Sequence, residues 1–395
     1  MQRDAKSARY YFGCMPLPQN KELLGLSIQE LSLIVEGLGQ PAYRARQLAE
    51  AIYRQRVESL EKITSLPATF RAELAACHSI GLPEVQKKFV SHDGTVRYLM
   101  QFADGQSVET VWMPDGDDGE QGDGSDAGDE KMQAHPSKTS QGGAPRRRAT
   151  ICVSSQAGCA VNCQFCMTAL LGLLRNLSAG EIVGQVLRVL NEHRVNLDTE
   201  RVNLVFMGQG EPFLNYDNFM KAVRLLVEES GISASRMTVS TAGIVPAIHD
   251  FGQEPVRPKL AISLNASNEQ QRVEIMPITR KWTLERLMAA AREFPLCPRE
   301  RLTFEYVLIE GVNDSGENAR EVVELLRGIR AKVNLIALNP GPEIPFRTPA
   351  EERVHAFQQV LIHAGIPTFI RRPRGRDIFA ACGQLKRTES VEISS

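Results

Sequence analysis

Three thiols fall within eight residues at Cys159-Ala-Val-Asn-Cys163-Gln-Phe-Cys166. Thiolates are soft ligands, and the C-x3-C-x2-C spacing lets a single loop wrap one metal centre or one cubane without long-range folding. A cubane held by three cysteines keeps one iron without a protein ligand, and a small chelating molecule can take that place. A structural zinc site with its fourth ligand elsewhere would use the same residue types. Iron–sulfur is favoured over zinc because zinc ligands more often come as separated C-x2-C pairs.

The residues that could complete such a site recur where strands are expected to end. Gly208-Gln-Gly210-Glu211-Pro212 follows Val205-Phe206-Met207, and Ser240-Thr241 follows Val239. Ser263 and Asn265 follow Ile262, and Asn339-Pro340 follows Ala337-Leu338. Each alone reads as a turn residue. Four strands ending this way, with the cysteine loop after the first, describe one polar rim, where parallel barrels collect their chemistry. The glycines allow close backbone approach to a ligand, and Glu211 could hold a ligand ammonium.

These residues sit in a chain that alternates strand and helix from residue 150 onward. Strands are expected at 150–154, 202–207, 236–241, 259–264, 303–309, 333–338 and 368–372, with helices at about 178–194, 215–230, 283–294, 315–330 and 349–364. Ser178-Ala-Gly-Glu181 caps the first of these helices. Such alternation builds parallel βαβ units, and six or so repeats make a partial barrel. The expected organisation is a helical accessory domain at 1–85, a β-hairpin at 86–113, a disordered acidic insert at 114–148, a partial barrel at 149–385 and a tail at 386–395.

In the accessory region, Ser27-Ile-Gln-Glu30 has the capping-box form, and Leu31, Ile34, Val35 and Leu38 give one apolar face. Pro41 is expected to start a second helix with Ala45, Leu48 and Ile52 buried and the arginines at 44, 54 and 56 outward; Leu66-Pro67 is expected to end a third element. Alternation over 88–113, broken by Ala103-Asp104-Gly105, predicts two strands and a turn.

Composition bounds the partners. The 395 residues are 43% hydrophobic, enough for a sizeable core, and no run of eighteen apolar residues occurs, so the chain reads as cytoplasmic. The Met-Gln-Arg-Asp-Ala-Lys-Ser-Ala-Arg start lacks the apolar run of a signal peptide. Eight cysteines, half of them in 152–166, point to metal and redox chemistry and not to a secreted disulfide scaffold. Cys14, Cys77 and Cys297 are expected to be inert. The formal net charge is −1, but residues 115–130 hold eight acids and no base, leaving +7 on the remainder. Arginines cluster at 44, 46, 54 and 56, at 146–148, and at 371, 372, 374 and 376. Any one cluster is ordinarily a solvated face; three around one site favour a phosphate backbone.

With these residues in hand, the chain resembles the RlmN family, bacterial radical S-adenosylmethionine (SAM) enzymes that methylate carbon 2 of adenine in RNA. The matching stretches are Ser107-Val-Glu109-Thr-Val, Cys152 through Cys166, Phe206-Met-Gly-Gln-Gly-Glu211-Pro, Ser263-Leu-Asn265-Ala and Arg374-Gly-Arg-Asp-Ile-Phe-Ala-Ala-Cys382-Gly-Gln-Leu. The resemblance implies an α/β fold, a partial (β/α)6 radical-SAM barrel with a small N-terminal helical domain. It also implies a [4Fe–4S] cluster on Cys159, Cys163 and Cys166, and two SAM molecules per turnover. Gly210, Glu211, Ser240, Ser263, Leu264, Asn265 and Asn339 become the SAM-binding set, Cys382 the methyl carrier, Cys152 the thiol that resolves a covalent RNA adduct, and Glu109 the acid beside the target base. The implied substrates are 23S rRNA in the peptidyl-transferase region and tRNA at the base 3′ of the anticodon. An electron donor such as flavodoxin and a monomeric state complete the expectation. Asn265 stands where the family commonly has histidine, Gln209 where it has methionine, and Arg376 and Phe379 where it has acids. A sister activity at carbon 8 of adenine shares the two cysteines, and a zinc-stabilised RNA-binding protein would share the basic clusters.

Overall fold

The computed structural model describes residues 21–114, 120–121 and 148–386. The chain begins with β1 (Lys21–Glu22), then α1 (Ile28–Gly37), α2 (Tyr43–Ala49) and α3 (Ala68–Cys77), after which β2 (His78–Ser79) pairs in parallel with β1. The Ser27 hydroxyl accepts from Glu30 N while the Glu30 carboxylate accepts from Ser27 N, the reciprocal cap expected there. Pro67 does not end an element: it is the N-cap of α3, following a short turn at Leu60–Lys62. Proline is tolerated at a helix start because the first amides have no intrahelical partner, so the same residue reads equally as a stop or a start.

Three antiparallel strands follow, β3 (Glu84–Val90), β4 (Val96–Gln101) and β5 (Ser107–Pro114), where the alternation predicted two. The extra strand escapes pattern reading because a register shift between Val85 and Lys87 interrupts its alternation and its edge carries Glu84, Lys87 and Lys88. Glu120–Gln121 forms β6. The expected disordered insert therefore ends at different points: Pro114 belongs to β5, Glu120–Gln121 to β6 and Arg148 to β7, and the rest of it lies outside the described residues.

The barrel is β7 (Arg148–Cys152), α4 (Ala179–Glu192), β10 (Arg201–Phe206), α5 (Tyr216–Glu228), β11 (Met237–Thr241), α6 (Val245–Gln253), β12 (Lys259–Ser263), α7 (Glu269–Ile275), α8 (Leu284–Glu293), β13 (Leu302–Leu308), α9 (Gly316–Leu326), β14 (Ala331–Ala337), α10 (Glu351–His363) and β15 (Thr368–Arg371). Between β7 and α4 a small hairpin, β8 (Gln156–Gly158) with β9 (Leu173–Asn176), brackets the cysteine loop. Strands β7, β10, β11, β12, β13, β14 and β15 are consecutive parallel neighbours, so six βα units end on a seventh strand. The three antiparallel strands extend the sheet beyond β7, and β6 adds to the far edge. All seven expected barrel strands form within two residues of their predicted ends. Helices α6 and α7 were not anticipated; each is short, nine and seven residues, and α6 opens on a proline.

One apolar core runs from Leu31, Leu48 and Phe70 of the N-terminal helices through Val183 and Leu187 of α4 to Phe304 and Leu335 of the barrel. The N-terminal unit is therefore welded to α4. Gly25 and Gly180 make this contact possible, because a Cβ on Gly25 would stand 2.5 Å from Gly180 N. Arg56, expected to point outward, instead reaches Val195 O at 2.7 Å, whereas Arg46 and Arg54 are exposed. Among the described residues no helix is long and apolar enough to cross a membrane.

Candidate active site

The cysteine loop is built by the β8–β9 hairpin and by packing from beneath. Cys159 N donates to Gly172 O at 2.9 Å, Cys166 N to Cys163 O at 3.1 Å, and Gln164 N to Ile275 O at 2.9 Å. Gly158 adopts φ +79°, and a Cβ there would overlap the Gly172 carbonyl, so only glycine closes this hairpin. Val161 and Phe165 bury against Ala266, Ile275, Met276, Ile309 and Leu338, and the three cysteines pack on that cluster. Burial pushes the Cys159 thiol up to about 12; burial, then the negative charge of Cys166 and Cys159, holds Cys163 high, with Arg272 opposing. Burial likewise raises Cys166. Thiols raised in this way lose their protons when a cationic centre binds them.

At the rim, the polar residues expected on strand ends do converge. Glu211 is 4% exposed; its carboxylate accepts from Phe213 N at 3.1 Å and Ala242 N at 2.7 Å. Burial nonetheless raises its pKa to about 7. Gly210 takes φ +98° beside Gln156, whose amide a Cβ would approach to 2.7 Å. The Ser240 and Ser263 hydroxyls lie 3.1 Å apart, and Leu264 is fully buried. Asn265 stands in the left-handed region, φ +56°, with Oδ1 accepting from Val307 N at 2.8 Å and Nδ2 directed to Met276 Sδ. Its side chain is thus committed to the fold. Asn339 Nδ2 donates to Cys382 O at 3.4 Å, and its buried Oδ1 has no protein partner.

The two remaining cysteines meet on the inner face of the sheet. Cys152, in register with Val111 and Val205, buries against Val111, Ile378, Ala380 and Leu385 of the segment that carries Cys382. Burial, then proximity to Cys382, raises the Cys152 thiol. Cys382 itself is exposed. Desolvation by the surrounding protein and then the Glu305 carboxylate raise it to about 11, with Arg371 opposing. Glu109 is fully buried: Arg97 Nη1 donates to its Oε1, Gln209 Nε2 to its Oε2 at 3.4 Å, and Ser154 Oγ to its backbone carbonyl at 2.6 Å.

Comparison with known proteins follows this geometry. Residues 153–326 match the Radical SAM superfamily, and residues 21–80 match the ribosomal RNA large subunit methyltransferase N-terminal domain. The chain is 69% identical over 361 residues to the probable dual-specificity RNA methyltransferase RlmN of Koribacter versatilis (strain Ellin345), covering 91% of this chain and all of that one. It is 43% identical to the dual-specificity RNA methyltransferase RlmN of Syntrophobacter fumaroxidans (strain DSM 10017 / MPOB), covering 91% and 96%. The chain belongs to the RlmN family. A crystal structure of a radical SAM methyltransferase from Sphaerobacter thermophilus superposes with a TM-score of 0.82 at 41% identity, covering 93% of this chain and all of that one.

The family's [4Fe–4S] cluster and SAM suit the residues present. The three thiols share one loop, pack on one apolar cluster and feel one another's charge. Three cysteine thiols on one short loop are the donor type an iron–sulfur cluster takes, so this set fits the cluster. Membership in the RlmN family removes the zinc-stabilised reading.

Several residues that build the site escaped the sequence. Arg272, fully buried in α7, donates to Leu264 O, Thr279 Oγ1, Ala242 O and Ser263 O at 2.6–3.0 Å, pinning the ends of β11 and β12. Asn313 holds Asn265 O and Val307 O through Nδ2 at 2.7 Å each. Gln185 on α4 accepts from Thr110 Oγ1 and Ser154 N, joining that helix to β5 and the loop after β7. For Gln185 a signal existed: it occupies a core position within the apolar stripe Ile182, Val183, Val186, Leu187.

Proposed function

We propose that this chain is a radical-SAM methyltransferase that adds a methyl group to C2 of adenine in 23S rRNA and in tRNA, as the names of its relatives and the residues of its rim jointly support. The observation that carries the reading is the packing of Cys152 against the Cys382 segment, beside a three-cysteine loop. Carbon 2 of adenine lies between two ring nitrogens and is electron-poor, so it does not attack a SAM methyl as a nucleophile.

Cys159, Cys163 and Cys166 would hold the cluster, beside the rim residues that would bind SAM. Once bound, this pair supplies the reducing electron and the 5′-deoxyadenosyl radical that remove a hydrogen atom. Gly210 and the loop Ser263-Leu264-Asn265 place backbone groups against SAM, with the Ser240 and Ser263 hydroxyls beside them. Glu211 meets its ammonium. Cys382, acting as thiolate, first takes a methyl from one SAM by displacement and releases S-adenosylhomocysteine. After hydrogen loss, the carbon on Cys382 joins adenine C2, linking protein and RNA; the ring radical so formed gives up the C2 proton and one electron, which would return to the reducing centre, restoring the aromatic ring. Cys152, as thiolate, then attacks the Cys382 sulfur: the S–S bond forms and the bond from that sulfur to the transferred carbon breaks. The electron pair left on that carbon takes up a proton to give the methylated base, after which an external reductant restores the two thiols. Glu109, held by Arg97 and Gln209, assists proton movement at that base.

The exposed Arg46, Arg54, Arg372 and Arg376 provide phosphate contacts, and Tyr43, with the Arg44 guanidinium 5.0 Å from its ring centre, offers a stacking surface. The electron donor is a small reductant such as flavodoxin, and the enzyme works as a cytoplasmic monomer.

The test compares two variants. Cys152→Ala can still be methylated, form the radical and add to adenine, so it accumulates protein that keeps RNA through denaturing purification and loses it to nuclease. Cys382→Ala has no carrier and never becomes joined. Normal turnover by Cys152→Ala, or covalent RNA on the double variant, overturns the division of labour. Mass spectrometry of digested RNA distinguishes carbon 2 from carbon 8.

A further inference from the structure

The segment bearing Cys382 is fastened at two ends that differ in kind. Downstream, Met167 N donates to Gly383 O at 2.7 Å, Thr168 Oγ1 to Leu385 O at 2.7 Å and Gln384 Nε2 to Pro340 O at 2.9 Å. These bonds tie it to the stretch just after the cysteine loop. Upstream, its polar contacts go to the β3–β4 turn, about 285 residues earlier in sequence. Ser91 Oγ donates to Asp377 Oδ1 at 2.5 Å, His92 N to Asp377 Oδ2 at 3.2 Å, and Gly375 N to Asp93 Oδ2 at 3.0 Å. The His92 ring nitrogen lies 3.9 Å from the same Asp377 oxygen. Asp93 is oriented in turn by Thr95 N at 2.9 Å. Gly375, at φ +60°, lets the two backbones approach: a Cβ there would stand 2.8 Å from Ala380 Cβ and 2.9 Å from Thr95 Cγ2.

Between these anchors Ile378 and Ala380 lie on Cys152 and Val111. The consequence is an asymmetry between the two thiols, since Cys152 is 9% exposed and Cys382 is open to solvent. A nucleobase joined to Cys382 needs room beside Cys152, and in this arrangement two side chains of the segment fill it. The downstream bonds include a buried one shared with the residues beside Cys166, so releasing them would disturb the cysteine loop. The upstream bonds lie nearer the surface: the His92 amide bond is exposed and the His92 ring is wholly in solvent, while the Ser91–Asp377 and Gly375–Asp93 bonds are part-buried, so water reaches this end of the segment first.

We infer that Asp377 is a positioning residue for Cys382, and that the β3–β4 turn is a clasp holding segment 375–381 over Cys152 and releasing it to admit the target base. This rests on the reading of Cys382 as methyl carrier and Cys152 as resolving thiol. The antiparallel strands β3 to β5 thereby acquire a task beyond extending the sheet: they set when the two thiols become accessible together. Loops that gate a site are drawn from weakly fastened elements, and three hydrogen bonds, none of them fully buried, with one longer His92–Asp377 contact make such a fastening.

The test labels thiols in the full-length enzyme carrying its cluster, with iodoacetamide at mildly alkaline pH under anaerobic conditions and without RNA or SAM. In the parent protein Cys152 reacts more slowly than Cys382, being both less exposed and held higher by burial. In Asp377→Ala the Cys152 rate rises about tenfold, the loss of two carboxylate hydrogen bonds being sufficient for that. Labelling of exposed Cys77 and Cys297 and the visible cluster absorbance stay as in the parent. Asp377→Asn keeps a carbonyl acceptor and gives an intermediate rate; Ser91→Ala, which leaves the segment untouched, raises the rate as well. Unchanged Cys152 protection in Asp377→Ala and Ser91→Ala overturns the clasp, and so does a rise accompanied by cluster loss, which would mean general loosening. Because labelling needs no turnover, the clasp can fail while Cys152→Ala still traps RNA, and the trap can fail while the clasp holds.

Discussion

Replacing Arg272 with methionine tests whether the rim is held by one buried cation. The guanidinium is fully buried and makes four bonds, to the carbonyls of Leu264, Ser263 and Ala242 and to Thr279 Oγ1. Two effects oppose each other. Removing the cation relieves a desolvation cost, visible in the lowering of its pKa to about 10 by burial. Removing its donors strands four acceptors that lie where strands end, each costing about 1–3 kcal/mol when unsatisfied. Thr279 can still donate to Met276 O at 2.8 Å, and methionine fills much of the volume, so the losses fall mainly on three carbonyls. The acceptor losses win, and the net destabilisation is about 2–4 kcal/mol, equivalent in a chain of this length to a fall in melting temperature of about 2–5 °C. SAM affinity, measured by equilibrium dialysis on the cluster-loaded enzyme, falls at least about tenfold, since Ser263 and Leu264 lose their shared anchor. A variant that melts within about 2 °C of the parent and binds SAM equally well would refute the pin.

Two other perturbations follow from the same structure. Glu211, raised by burial to about 7, binds its proton more tightly folded than unfolded, so its contribution to stability declines as pH rises from about 4.5 through about 7. Glu211→Gln removes that decline, and it also removes a strengthening of SAM binding as pH rises through about 7; an identical pH dependence of melting and SAM affinity in parent and variant would refute the assignment. Replacing residues 116–144 with a short Gly/Ser linker removes the Glu120–Gln121 pairing with Ile370–Arg371 and costs about 1–2 kcal/mol, with loop length entering only logarithmically. A larger fall in thermal stability would show that this stretch packs on the barrel.

What could be read in advance was whatever repeats or caps. The barrel strands declared themselves as apolar runs between helices, and Ser27-Glu30 and Ser178-Glu181 as capping boxes, because both signals are local. The three-thiol loop was legible for the same reason. Strand β3 was hidden by a register shift and charged edge, and Pro67 was ambiguous because a proline marks either end of an element. Arg272 and Asn313 were beyond reach: each binds backbone carbonyls of other elements, and such partners leave no trace in neighbouring residues. Glu109 was read as the acid beside the target base, but the partners of its buried carboxylate, Arg97 and Gln209, were not foreseen, since no spacing rule connects them to it.

The sequence did carry one signal that pattern reading passed over. Glu305 and Asn334 stand mid-strand in Leu302–Leu308 and Ala331–Ala337, at positions in register with each other and, for Glu305, with Ser263. Both are buried, and Asn334 Nδ2 donates to Glu305 Oε1 at 2.8 Å. Burying a carboxylate and an amide costs several kcal/mol unless they are bonded, and Asn334 Oδ1 still lacks a protein partner. A barrel selected for stability alone would fill these positions with valine or isoleucine, as its helix-facing positions Leu260, Ile262, Phe304 and Leu335 are filled. The inner face instead runs from Ser240 and Ser263 to Glu305 and Asn334 as a polar wall, with Cys152 across from it on β7. The stability lost to this wall is the cost of an interior that admits polar ligands beside its thiols, and it explains why the apolar core of this chain lies outside the barrel, between sheet and helices, and not within it.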